Sequence, residues 1–489
     1  MSPGQIRAFN TLSQQKEDLV PVKAGEIGIY VCGPTVYSYV HIGNARTFTS
    51  FDVVVRYLRY RGFKVRYVRN YTDVDDKIIN AAKETGEAPV ALAARYVEEF
   101  RKDAAALHLI EPDVSPKVSD HIPEILTLVG QLVASGAAYA SQGDVYFSVA
   151  RFSGYAKLSK RQLDDLRAGA GERVAVGEQK RDALDFALWK AVKPGEPAWD
   201  SPWGKGRPGW HIECSAMSAK YLGQPFDLHG GGLDLIFPHH ENERAQSEAA
   251  AGRTFCNVWM HCGFLDLEGA KMSKSLGNVV RLRDALERVD AEALRYFFLS
   301  THYRNPLAFG EKSLSDAEAR MEYFYETLRK VDERLAGKGP APGPLHGEPE
   351  KLLAQFEEAL DDDFNAAGAL GAVSGLFAAM NELNEKPPVK DKAMVARTLA
   401  ALREQVRKIS SVLGLFEDDP SKWLARRRDR AVRERGLDAA KVQGLVDARQ
   451  KARAAKDFPE ADRVRAELKA MGVEIMDGPS GTSWKVSPA

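Results

Sequence analysis

Hydrophobic and polar positions follow two rhythms in the first part of this chain. Ile27, Ile29 and Val31 form a β-branched run that predicts a buried strand. Downstream, Ala45, Phe48, Phe51, Val55 and Leu58 recur at three- and four-residue spacing, which predicts an amphipathic helix. The stretch between them, YVCGPTVYSYVHIGNAR at residues 30–46, is therefore a strand-to-helix turn. A second strand begins at Lys64 in KVRYVRNYTDVDDKII, ends in Asn70, Thr72 and Asp73, and runs into a helix from about Asp75. Alternating strands and helices predict an α/β class with a Rossmann-like parallel sheet.

Residues 118–203 change character. A helix over 122–135 leads to strand-like pieces, DVYFSV and YAKLS, and a polar stretch around 169–179. Prolines and glycines from Pro194 to Gly209 return the chain to the sheet. This reads as an insertion into the catalytic domain. From about Asp316, segments such as EARMEYFYETLRKVDERL keep a 3.6-residue period around a Pro/Gly linker at 337–347, which predicts a helix bundle. The expected organisation is a first catalytic half at 1–117, a connective insertion at 118–205 and a second catalytic half at 206–270. A basic loop and connecting region at 271–315, a bundle at 316–415 and a small C-terminal domain at 421–489 complete it.

A chain of 489 residues has ample core for several domains. Its 68 Lys+Arg cancel its 68 Asp+Glu, so no global field favours nucleic acid. The balance is local: residues 421–489 hold 16 Lys+Arg against 10 Asp+Glu, which suits an RNA backbone or a solvated helix face. The opening MSPGQIRAFNTLSQQ lacks a secretory pattern, and no apolar run looks long enough to span a bilayer. Cys32, Cys214, Cys256 and Cys262 are too irregularly spaced for a disulfide framework. A cytoplasmic setting without membrane attachment is expected.

The chemistry concentrates at strand ends. A helix N-terminus after a strand offers free backbone N–H groups to phosphate, with His41 and Asn44 as extra donors. Cys32, in the same turn, is a soft metal ligand. Cys214 and His239 add a thiolate and an imidazole, and Glu243 shares a helix face with His239 at four-residue spacing. Together they make a four-donor zinc set. His240 and Glu241 are expected to point elsewhere on that helix, as supports around the ligands or as solvent contacts. The HGGG run at 229–232 allows close backbone approach, and Asp234 could accept from a sugar hydroxyl. Asp75 and Asp76 read as a helix cap and an acidic first turn, whereas Thr72 faces the expected crevice. KMSKSLGN, at 271–278, is a cationic loop able to neutralise phosphates. Cys256 and Cys262 remain free thiols. A zinc hydrolase with Glu243 or Glu241 as base is an alternative that leaves HIGN, KMSKS and the basic end without a role.

HIGN, KMSKS, CGPTVY, GWHIECS, FPHHENE, DDFNAAGAL and GTSWK together resemble the cysteinyl-tRNA synthetase family, of class I, across essentially the whole chain. The resemblance implies one Zn²⁺ per chain on Cys32, Cys214, His239 and Glu243. It places ATP phosphates on His41, Gly43 and Asn44, with Lys274 as the ATP-contacting lysine and Lys271 beside it in the loop. Trp210 and Thr72 would border the amino acid next to Cys32, and Gly231 and Asp234 the adenosine side. The implied reaction activates L-cysteine with ATP and Mg²⁺ and transfers it to tRNA(Cys), with zinc selecting the thiolate. A monomer without an editing domain is implied, and so is an anticodon-binding role for the basic end. Cys262 departs from the family pattern, where Asn or Val commonly stands. A catalytically dead tRNA-binding relative and a ligase acting on a small amine sugar are the other readings.

Overall fold

A computed structural model describes residues 5–164, 180–267, 270–271, 280–336, 342–478 and 481–486. Its central sheet is parallel, in the order Cys256–Cys262, Phe226–Gly232, Glu26–Val31, Lys64–Arg69. Ile27, Ile29, Tyr30 and Val31 are at most 1% exposed, because helices and loops cover both faces of a strand flanked on either side. That burial explains the near-continuous apolar run. Register pairs Val31 with Gly230 on one side and Arg69 on the other, so Cys32 emerges between two strand ends. Gly33 is needed there: a Cβ would sit 1.6 Å from the Asn70 carbonyl oxygen.

The Ile42–Tyr60 helix is buried at 14 of its 19 positions, more than the expected amphipathic stripe. The extra coverage comes from the helices Ala291–Leu299 and Lys392–Leu413, which pack on its second face. Asp75 caps the Asp76–Thr85 helix by accepting from the Lys77 N–H at 2.9 Å, the structural role expected of it.

The inserted region carries the helix Ile122–Ala134 and a four-stranded antiparallel sheet of Ala138–Ser141, Asp144–Phe147, Phe186–Ala191 and Gly206–Pro208. YAKLS is not a strand. Its Ala156 (φ 67°) and the following Lys160 (φ 55°) take left-handed backbone, which no ladder accommodates, while Tyr155 and Leu158 are buried as turn residues.

The bundle comprises Glu311–Leu335, Glu350–Asp361, Ala366–Glu385, Lys392–Leu413 and Pro420–Glu434. Among the described residues Ala366–Glu385 alone is long and apolar enough to cross a membrane, and its Val373, Leu376, Phe377 and Met380 are buried in the bundle core. Ala439–Ala454, Phe458–Ala470 and the hairpin Val473–Gly478 with Gly481–Val486 close a separate small core around Val446, Leu468 and Trp484.

Three consecutive aspartates fasten the bundle to the sheet domain. Asp361 accepts from the Tyr57 hydroxyl at 2.6 Å and pairs with Arg61. Asp362 pairs with Arg7 and Lys16, both at 2.7 Å. Asp363 accepts from the Phe9 N–H at 2.8 Å and from Tyr303 Oη and Arg304 Nε at 2.7 Å. Deeper in the joint, Arg295, fully buried, donates to Asp52 at 2.6 Å and to the Leu413 carbonyl at 2.7 Å. Removing one partner of such a pair leaves an uncompensated charge in the core. Arg295→Met is expected to destabilise the fold by about 3–5 kcal/mol, read as a lower urea midpoint; an unchanged midpoint would show that the pair carries no net stability.

Candidate active site

Cys32, Cys214, His239 and Glu243 are brought together, all buried, with their donor atoms within 4.8 Å of one another. Cys32 Sγ lies 3.6 Å from Cys214 Sγ and 3.5 Å from Glu243 Oε1. His239 Nε2 lies 3.7 Å from Cys214 Sγ and 2.9 Å from Glu243 Oε1. Zinc bonds of about 2.3 Å to sulfur and 2.0–2.1 Å to nitrogen or oxygen give tetrahedral edges of roughly 3.3–3.8 Å. The donor set therefore fits zinc in chemistry, and three of these four edges fit it in size, the His239–Glu243 edge being contracted by its hydrogen bond.

The charges are arranged accordingly. Burial works to raise the Cys214 thiol, yet the hydrogen bond from Cys32 and the neighbouring His239 bring it down to about 6. Burial pushes the Cys32 thiol well up. Burial would lower His239, but Glu243 and Cys214 raise it to about 10. Glu243 stays well below the usual carboxylate range despite burial, because His229 and His239 face it.

Three histidines that the sequence reading set aside line this pocket. His229 Nε2 meets Glu243 Oε2 at 2.8 Å. His240 Nε2 lies 3.3 Å from Cys32 Sγ, and its Nδ1 meets His261 Nε2 at 2.8 Å. His261 Nδ1 in turn meets the Thr11 hydroxyl at 2.7 Å. His240 was expected to point elsewhere. A wide turn over Ile236–His240 precedes the Glu241–Ala251 helix, and His240, three residues before Glu243, lies on the same face 4.0 Å from it. With Cys32, His229 and Glu243 it forms a second group of possible metal donors. Glu241 does turn away, to the Ser159 N–H at 2.7 Å and Arg244 at 3.2 Å. Trp210 stacks on His239 at 4.3 Å between ring centroids. The Thr72 hydroxyl donates to Glu213 at 3.1 Å, a carboxyl that burial pushes well up. Asn70 Oδ1 accepts from the Gly33 N–H at 2.9 Å and lies 3.8 Å from Cys214 Sγ.

The phosphate-type turn lies on the same edge of the sheet. His41 caps its own helix, its Nδ1 accepting from the Asn44 N–H at 3.2 Å. Gly43 and Asn44 are half-buried. The turn is zipped to the segment after the basic loop, with Ile42 N–H donating to the Val280 carbonyl at 3.0 Å and Leu282 N–H to Val40 at 2.8 Å. Lys274 lies outside the described residues, and Lys271 ends the short edge strand Ala270–Lys271. The HGGG run serves internal packing. A Cβ on Gly230 would meet the Phe51 ring at 2.3 Å, and one on Gly231 the His240 ring at 2.9 Å. Asp234 is exposed.

Part of the C-terminal basic excess is paired with acids outside residues 421–489. Arg430 reaches Glu318 at 2.5 Å, Arg426 Asp418 at 2.5 Å and Lys485 Glu326 at 3.3 Å. Arg428 lies 4.9 Å from the Trp484 ring centroid.

The description "tRNA synthetases class I (C) catalytic domain" matches residues 18–319. The chain belongs to the cysteinyl-tRNA synthetase family. A DALR domain matches 355–417, and a "Cysteinyl-tRNA ligase anticodon binding domain" matches 434–484. A cysteine–tRNA ligase of Anaeromyxobacter sp. (strain Fw109-5) is 53% identical over 98% of both chains. One from Geobacter sulfurreducens is 50% identical over 98% of this chain and 99% of its own. By fold, the chain is similar to a Mycobacterium tuberculosis methionyl-tRNA synthetase solved with methionyl-adenylate. The TM-score is 0.59 at 18% identity, over 80% of this chain and 92% of that one. Membership makes the chain an aminoacyl-tRNA synthetase, a cysteine–tRNA ligase, on the α/β class I fold. Overpacking at the glycine run costs about 1–3 kcal/mol. Gly231→Ala is therefore expected to lower the melting temperature by displacing His240; an unchanged melting temperature would show that His240 is free to move.

Proposed function

We propose that the buried four-donor cluster selects L-cysteine through zinc, before cysteinyl-adenylate forms and is passed to tRNA(Cys). The observation that carries this reading is the convergence of two thiols, an imidazole and a carboxylate, all buried, on the sheet edge that also presents the HIGN turn. Cys32, Cys214, His239 and Glu243 would hold the ion. When bound, zinc supplies a soft Lewis-acidic position that a thiolate occupies far more strongly than a hydroxyl.

The chain's own groups do the rest. Trp210, stacked on His239, walls the amino-acid pocket, and Thr72 is fixed by Glu213 as a hydroxyl facing it. In the first step a cysteine carboxylate oxygen attacks the α-phosphorus of Mg²⁺-bound ATP and pyrophosphate leaves. In the second, a terminal ribose hydroxyl of the tRNA attacks the adenylate carbonyl and AMP leaves. No protein nucleophile is needed; positioning and charge stabilisation carry both steps. His41, Gly43 and Asn44 are assigned to the phosphates, and Gly231 and Asp234 to the adenosine side. Lys274, with Lys271 nearby in sequence, is assigned to the charge that develops as pyrophosphate departs. Residues 421–489 are assigned to the anticodon arm. The four cysteines are all free thiols, which suits a reducing cytoplasm.

The test is ATP–pyrophosphate exchange with cysteine and serine side by side, alongside zinc analysis of Cys214→Ser. Cysteine is expected to outpace serine by roughly 10⁴-fold, as in sites built around one specific polar contact, and the variant is expected to lose zinc. Equal exchange with both amino acids, or full zinc content in the variant, would sink the reading. Lys274→Ala is expected to slow exchange by about 10²-fold or more while cysteine binding stays near normal; an exchange rate matching the parent would remove Lys274 from the mechanism.

A further inference from the structure

Six arginines among the described residues are buried, and five of them are well provided with acceptors. Arg46 donates to the carbonyls of Gly263, Phe264, His302 and Asn305. Arg207, Arg244, Arg295 and Arg449 each pair with a carboxylate. Arg69 is the exception. It is 3% exposed, yet its Nη1 has only the Tyr67 hydroxyl at 3.5 Å. Its Nε has no partner, and no carboxylate among the described residues lies within salt-bridge distance.

Three rings surround the guanidinium, with its central carbon 4.9 Å from the Phe100 centroid, 5.1 Å from Phe48 and 5.9 Å from Tyr67. Such contacts contribute about 0.5–2 kcal/mol each, whereas burying an unpaired ion costs several kcal/mol. The rings therefore leave the charge under-compensated. Arg69 lines a cavity of about 300 Å³ with Tyr71, Arg101, Ile110, Glu111 and Ser115. At its mouth Arg101, which also pairs with Glu98 at 2.8 Å, and the exposed Glu111 offset one another. Arg69, unlike Arg101, has no carboxylate among the described residues in direct contact with it. Arg69 points towards Phe48 and Phe100, while Asn70, the next residue, points towards Cys214; the cavity is separate from the metal pocket.

We infer that this cavity binds a phosphate oxyanion through the unpaired Arg69 guanidinium, with Arg101 and the hydroxyls of Tyr71 and Ser115 in reach of the same anion. The source is either free phosphate or a phosphate of the RNA backbone. The proposal goes beyond the zinc reading and does not depend on it.

Calorimetric titration of inorganic phosphate into the full-length protein, at fixed ionic strength, tests it. Saturating ATP without amino acid keeps phosphate out of the nucleotide site. One phosphate per chain is expected, and Arg69→Met should weaken it about tenfold, the loss of one hydrogen-bonded charge. A parallel arm measures tRNA affinity. If the occupant is an RNA phosphate, free phosphate binds little and Arg69→Met weakens tRNA about tenfold instead. A variant that alters neither phosphate nor tRNA binding overturns the proposal. Should Arg69→Met fail to fold, Arg101→Gln at the exposed mouth decides: about threefold weakening of either ligand supports the site, and no change in both overturns it.

Discussion

The sheet edge is organised around one electrostatic constraint, a fully buried carboxylate that keeps its charge. Glu243 has no exposed side-chain surface and is held between His229 at 2.8 Å and His239 at 2.9 Å. A lone carboxylate there would take up a proton. With two imidazoles facing it, ionisation survives beside the Cys32 thiol, 3.5 Å away. Four parts of the chain meet at this point: the end of the Glu26–Val31 strand, the Ile212–Leu222 helix, the Phe226–Gly232 strand and the start of the Glu241–Ala251 helix. The carboxylate thus links the donor cluster to the tertiary closure of the sheet domain.

The same economy of contacts governs the nucleotide side. His41 both begins the signature turn and caps the helix, so the turn is rigid on its own account. Val280 and Leu282 then bind it across the backbone, which fastens the chain that follows the basic loop to the turn. The glycines at 230 and 231 belong to this arrangement because Phe51 and His240 fill the space their side chains would need.

How much of this was legible in the sequence depends on the kind of signal. The strand at Glu26–Val31 and the four donors were visible, since burial leaves an apolar run and soft ligands are chemically distinctive. His240 was read as lying elsewhere because only the four-residue spacing of His239 and Glu243 was counted; three residues before Glu243, it shares that face and lies 3.3 Å from Cys32 Sγ. The left-handed residues Ala156 and Lys160 likewise turned an apparent strand into a turn. Charge counting does not say where the basic surplus at the C-terminal end lies, for composition does not reveal that Arg430 and Arg426 have carboxylate partners outside residues 421–489. The family resemblance, by contrast, rests on motifs dispersed over the whole chain, and the matches to the catalytic, DALR and anticodon-binding domains agree with it.

The aspartate triplet has a geometric corollary. Asp361, Asp362 and Asp363 reach three different parts of the sheet domain from successive positions, and the backbone turns left-handed at Asp363 (φ 66°) and Phe364 (φ 50°). Adding or deleting a single amino acid just upstream would swing all three carboxylates away from their mates at once. Length therefore matters more than identity at this joint of the polypeptide: an Asp exchanged for Asn loses one clasp, whereas a frame slip of one residue unhooks the whole helical half from its neighbour.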